Sequence, residues 1–210
     1  MSADVPSPEL DTALPELQSL IEQSRFDDAL STADRLLPLF PGHRDLLYLR
    51  AVALRHVNRV PEALATLESL EDGYPGYPRL FQERGHCHVF LKQAPQAIEA
   101  FERAVGLNPA LPASWRVLAS LYRMVGRHQE SENAARHVDK LASLAPEVVT
   151  ARSMLLDGNL REAEGLIRSY LQRKPDDIEA LRVLAQVAHQ NEFSKDAATL
   201  LEAVLEASPG

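Results

Sequence analysis

Residues 94–126 read APQAIEAFERAVGLNPALPASWRVLASLYRMVG. Ala97, Phe101 and Ala104 stand four and three apart, which sets them on one face of a helix. Pro109 then ends that helix, because proline cannot continue the hydrogen-bond ladder. Trp115, Ala119 and Tyr122 repeat the four-and-three spacing on a second helix, and Gly126 supplies a turn after it. Outward from this stretch, a small residue followed twelve positions later by proline recurs every 34 residues. The pairs are Ala29 with Pro41, Ala63 with Pro75, and Ala97 with Pro109; after one slip in phase come Ala163 with Pro175 and Ala197 with Pro209. A period of this length is one helix–turn–helix unit that stacks on its neighbours rather than closing around a single core.

The other columns agree. In the second helix of each unit, Ala33, Leu67, Phe101, Ala135, Ile167 and Leu201 form one apolar column, and Leu36, Leu70, Ala104, Val138, Tyr170 and Val204 form the next. In the first helix, Leu47, Phe81, Trp115 and Leu181 precede by four residues a mostly small slot, Ala51, Gly85, Ala119 and Ala185, which Ala151 continues. Gly126, Gly158 and Asn58 occupy the turn between the helices, while Pro61 and Pro95 stand where a missing N–H costs nothing. These columns resemble the tetratricopeptide repeat (TPR) family, most fully at Trp115, Leu118, Ala119, Tyr122 and Gly126. The resemblance covers six motifs, at about 10–42, 43–76, 77–110, 111–144, 145–176 and 177–210. It implies an all-α, right-handed superhelical α-solenoid. Residues 1–9, rich in proline and serine, read as a disordered tail.

Two departures are visible. Ser131 takes the small slot of the fourth unit, and Pro146 follows three residues late. The second helix there is expected to run to about Leu144 and the next helix from Pro146 to Leu156, with a local change of curvature. Pro38 is expected to end the second helix of the first unit near Leu37.

The chain carries a formal net charge of −8. Phosphate binding is driven by Lys and Arg, so this balance argues against nucleic acid and against an anionic membrane surface. Cys87 is the single cysteine, which points to a reducing compartment and a cytoplasmic location. The first ten residues lack the pattern of a signal peptide, and no run of 18 apolar residues occurs.

No catalytic constellation or cofactor motif appears, so neither enzyme activity nor a cofactor is expected of this segment. His86 and His88 flank Cys87, but residues two apart on a helix diverge and cannot share a metal ion. In the TPR family the first helices line the concave side. By that resemblance the residues spared from packing form a partner-binding groove: Tyr48, Arg55, His56, Arg79, Gln82, His86, Phe90, Arg116, Arg123, Arg152, Arg182, Gln186 and His189. The six arginines suit carboxylates and phosphates, and the expected partner is an acidic peptide or the acidic patch of a partner protein domain, held by a non-catalytic scaffold. The Lys and Asn clamp by which some TPR domains hold chaperone termini has no counterpart here.

Two further expectations concern what lies around the array. Residues 107–123 and 155–189 resemble the N-terminal TPR region of bacterial TPR-containing sulfotransferases. That likeness implies an accessory, substrate-positioning or dimerising role beside a PAPS-dependent catalytic domain outside this chain. The last helix, about Ser194 to Ala207, has apolar residues on more than one face, which points to self-association as a homo-oligomer.

Overall fold

The structure is a computed structural model, and it describes residues 8–191. Eleven helices occupy these residues and no strand occurs among them. They are α1 (Pro8–Glu22), α2 (Phe26–Leu36), α3 (Arg44–His56), α4 (Val60–Gly73), α5 (Pro78–Phe90), α6 (Ala94–Leu107), α7 (Pro112–Met124), α8 (His128–Ala142), α9 (Pro146–Leu156), α10 (Leu160–Leu171) and α11 (Ile178–Gln190). The all-α class and the helical hairpins read from the period are what the chain adopts. α2 stops at Leu36, ahead of Pro38, and α9 has the bounds expected of it. α8 ends at Ala142, two residues short of the expected Leu144. α1 opens with Pro8 and Glu9, so these two residues form a first helical turn rather than tail. The expected terminal helix and the Ala197–Pro209 pair lie outside the described residues.

The turn inside each hairpin repeats as faithfully as the helices. Ser24, Asn58, Lys92, Gly126 and Gly158 all have left-handed backbone, with φ of 59, 63, 57, 79 and 84°. The amide after each one donates to a carbonyl five residues back: Arg25 to Leu20 at 2.9 Å, Arg59 to Leu54 at 2.8 Å, Gln93 to His88 at 2.9 Å, Arg127 to Tyr122 at 2.8 Å and Asn159 to Met154 at 2.8 Å. This closure satisfies carbonyls that the helix end would otherwise leave open. A non-glycine residue in this conformation costs about 1–2 kcal/mol. Serine and lysine are nevertheless held there, because the helices on either side fix the turn.

The chain divides into two compact units, Met1–Arg103 and Ala104–Gly210. In the first, the leading helices α1, α3 and α5 pack side by side. α2 touches both α1 and α3, and α4 touches both α3 and α5. The columns read from sequence are its core: Ala33, Leu36, Leu54, Leu67, Leu70 and Phe101 are wholly buried, and Phe81 nearly so. Gly85 marks the tightest approach. A Cβ placed there would stand 2.7 Å from the Phe101 ring, so any larger residue would have to displace that ring. Glu71 of α4 braces the hairpins from outside, accepting from Arg84 at 2.6 Å and from Arg103 at 2.9 Å. Arg103 lies 3.9 Å over the Phe81 ring.

In the second unit, α7 pairs with α8, α9 with α10, and α11 packs on both α9 and α10. Val148, Ala151, Ile167, Tyr170, Ala180, Val183 and Leu184 form one core there. Asp177 caps α11 by accepting from the Ala180 amide at 3.0 Å, and its other carboxylate oxygen accepts from the Tyr170 hydroxyl at 2.7 Å. Ser131, unusual in the small slot, stays buried because its hydroxyl donates to the Ala119 carbonyl at 2.8 Å.

After the slip in period the leading helices meet differently. In the first unit, like ends of neighbouring leading helices meet: Tyr48 near the start of α3 packs edge-on against Tyr77, just before α5. In the second, the far end of α9 meets the turn that precedes α7. Asn108, fully buried, donates through Nδ2 to Asp157 Oδ1 at 2.9 Å and to the carbonyl and hydroxyl oxygens of Ser153, each at 3.1 Å. Its Oδ1 accepts from the Ala110 amide at 2.9 Å. The contact joins residues 45 to 49 positions apart, more than one full repeat.

Candidate functional site

The leading helices place the expected groove residues on the faces of two separate units. On the first unit, α3 carries Tyr48, Arg55 and His56, and α5 carries Arg79, Gln82, His86 and Phe90. Most of these also make contacts within the fold, and Gln82 alone among them is buried. Gln82 is buried and accepts from Arg79 at 3.1 Å. Tyr48 packs against Tyr77, and His56 stacks on Phe26 with ring centroids 4.0 Å apart. His86 is half-buried, edge-on to Phe101 at 5.0 Å.

Arg55 does not stand free either. Its Nε donates to Glu83, a carboxylate only 3% exposed, and its Nη2 lies 3.0 Å from His56 Nε2. Burial pushes the Glu83 carboxyl above its ordinary value, and the Arg55 hydrogen bond and charge work against that rise. Burial, then the nearby charges of Arg55 and His56, lowers the His86 pKa to about 4. His56 is lowered for the same reasons, burial first and Arg55 second. This face is therefore aromatic, with one internally neutralised ion pair. Phe90, 52% exposed, is its open apolar residue.

The second unit differs. Arg152 and Arg182 converge on one carboxylate, Glu179, at 3.9 and 2.5 Å. Gln186 and His189 rim a cavity of about 290 Å³ whose floor includes Leu155, Leu156 and Ala185. Arg116 and Arg123 are the exception. Seven residues apart on α7, they share one side of the helix and are exposed. Arg116 donates to the Pro112 carbonyl of its own helix at 3.3 Å, and neither arginine forms an ion pair among the described residues. Met124 beside them is 70% exposed.

The sequence reading missed Glu83 and Glu179, the acids that neutralise half of the six arginines. Glu179 was legible, three residues before Arg182 on a helix. Glu83 was not, because its partner is 28 positions away and the pairing depends on how α3 meets α5.

The rest of the site chemistry is quiet. Cys87 is buried, and burial pushes its thiol up to about 12, which disfavours the thiolate. His88 Nδ1 lies 2.8 Å from Gln93 Oε1. Among the described residues, no group of three His, Cys, Asp or Glu side chains could hold a metal ion, and no helix is long and apolar enough to cross a membrane.

A family model described as tetratricopeptide repeat matches residues 14–78, 84–146 and 150–210. No curated protein matches the chain. Among solved structures, a tetratricopeptide repeat protein from Parabacteroides merdae is 15% identical with a TM-score of 0.55, over 96% of this chain and 81% of that one. A chain in the structure of Naa15/Naa10 bound to HypK-THB is 17% identical with a TM-score of 0.58, over 96% of this chain and 37% of that one. MamA from Desulfovibrio magneticus is 14% identical with a TM-score of 0.50, over 98% of both chains. At these identities the likeness is one of fold. The family model and these structures carry the repeat and do not extend to the sulfotransferase likeness.

Proposed function

The chain belongs to the tetratricopeptide repeat family, and from that premise we propose that it is a non-catalytic protein–protein interaction scaffold whose fourth hairpin receives an acidic segment of a partner protein. Repeats of this family typically serve as such scaffolds. The observation that carries the acidic reading is the pair Arg116 and Arg123, exposed on one side of α7 with no ion pair among the described residues. Planar guanidinium groups at that spacing suit two carboxylates on an extended or helical segment. Met124 adds an apolar contact at the end of the row.

This reading is narrower than a basic groove along every leading helix. Arg55, Arg152 and Arg182 have acids of their own. The first unit offers the aromatic and histidine face described above, which fits apolar side chains of a partner better than its carboxylates.

The test is charge reversal at both positions, Arg116→Glu with Arg123→Glu, against a synthetic peptide of repeating Glu-Glu-Ala triplets. Rim charges act mainly on association rate and its salt dependence, so binding should slow by roughly tenfold and lose much of its salt sensitivity. Affinity and salt dependence equal to those of the unaltered chain would contradict the assignment.

A further inference from the structure

We infer that the α3–α5 face of the first unit is an acid-sensitive latch, in which the neutral rings of His56 and His86 let Arg55 stay on Glu83 and their protonation drives it off. The geometry fixes the proton on His56. Arginine has only N–H donors and no acceptor, and Arg55 Nη2 stands 3.0 Å from His56 Nε2. That ring nitrogen must accept, so His56 is neutral and carries its proton on Nδ1. Stacking on Phe26, with centroids 4.0 Å and planes 7° apart, keeps the ring in this pose. The same guanidinium donates through Nε to Glu83 Oε1, and its Nη2 lies 3.4 Å from Oε2. Arg55 is thus held between an acceptor on its own helix and a buried carboxylate on the next leading helix.

A proton added at His56 Nε2 sets donor against donor and cation against cation. His86, three residues after Glu83, shares its side of α5 and is half-buried, edge-on to Phe101 at 5.0 Å. A charge on it would be buried near the same guanidinium. Both rings accordingly resist protonation: burial, then Arg55, holds His56 below 6.5, and burial, then Arg55 and His56, holds His86 at about 4. The neighbouring helices bring aromatic rings to these histidines, Phe26 from α2 and Phe101 from α6. Of the charged groups around them, Glu22 and Asp27 are exposed, Arg25 is tied to Asp28, Arg59 to Glu62 and Arg84 to Glu71. On α6, Glu99 and Arg103 lie on the side opposite Phe101, and Glu102 stands about a quarter-turn away. Cys87 keeps its proton. Below pH 6.5 the unfolded chain binds protons at both histidines that the folded chain refuses. The stability present at neutral pH is therefore lost as pH falls toward their folded values. Glu83 responds in the opposite sense, because burial raises it, but it is one group against two.

The full chain tests this without and with substitutions. NMR of the ring nitrogens at neutral pH should find His56 bare at Nε2 and protonated at Nδ1, the tautomer its hydrogen bond to Arg55 selects. In denaturant unfolding, the step from neutral pH to pH 5 should lower the folded-to-unfolded ratio of the unaltered chain about tenfold more than that of His56→Gln with His86→Phe. Glutamine keeps an acceptor for Arg55 and phenylalanine keeps a ring against Phe101, and neither takes up a proton. Glu83 is present in both chains, so the difference isolates the histidines. His56→Gln alone, with a smaller difference of the same sign, serves should the pair not fold. Hydrogen exchange corrected for its intrinsic rate should quicken at pH 5 along α3 and α5 of the unaltered chain and stay slow in the variant. A His56 ring protonated at Nε2 at neutral pH, equal losses in the two chains, or acid-quickened exchange that spares α3 and α5 would each overturn the inference.

Discussion

Replacing Arg55 by alanine is expected to remove about 3 kcal/mol of stability, because it leaves a buried carboxylate without its counter-charge. Glu83 is 3% exposed, and the Arg55 hydrogen bond is the largest influence offsetting its burial. The loss should depend on pH with a defined sign. Folding raises the Glu83 pKa above its ordinary 4.5, so between those two values the folded chain binds more protons than the unfolded one. Stability from this group is therefore highest below the ordinary carboxylate value and falls as pH rises through the raised one. Arg55→Ala removes both effects that hold the pKa down, so the fall should be deeper and extend to higher pH than in the unaltered chain. Denaturant unfolding at a series of pH values checks this. Adding Glu83→Gln to the Arg55→Ala chain should erase the extra pH dependence. A loss independent of pH would mean that Arg55 contributes through its packing alone.

The second large effect is expected at Asn108. Asn108→Asp keeps the shape of the side chain while removing its donor and setting a second carboxylate beside Asp157. Asn108 is fully buried and its Nδ2 stands 2.9 Å from Asp157 Oδ1, so two carboxylates at that distance cannot both ionise cheaply. A loss of about 4 kcal/mol at neutral pH follows from an uncompensated buried charge. It should recover on acidification, because the folded pair holds a proton that the unfolded carboxylates release. Hydrogen exchange should locate the loss in α9–α11 and the turn before α7, the two parts this contact joins. If the variant unfolds at the same denaturant concentration as the unaltered chain, the contact has no part in holding α9 there.

These two positions show where the sequence was legible and where it was not. Ala97, Phe101, Ala104 and Pro109 announced a helix, its buried face and its end, because all three follow from spacing along one element. The turns were legible at Gly126, Gly158 and Asn58. They were not at Ser24 and Lys92, whose side chains give no hint of positive φ and which are held there by the flanking helices. The slip after Ser131 was visible as a missing proline. Its outcome, the far end of α9 against Asn108, depends on contacts across more than a repeat that no local period encodes. The ion pairs of the groove residues were out of reach for the same reason. A spacing rule finds arginines on a face, but it cannot tell that Glu83 from the next hairpin reaches Arg55. Arg116 and Arg123 survive as an open row because no carboxylate of another helix meets them among the described residues.

The fourth hairpin, and no other part of the chain, is expected to take up the acidic segment. Hydrogen exchange measured along the full chain, with and without the Glu-Glu-Ala peptide, tests it most directly. Slower exchange confined to residues 112–142 is the predicted result. Protection centred on α3 and α5, or on α9 and α11, with α7 and α8 unchanged, would contradict it.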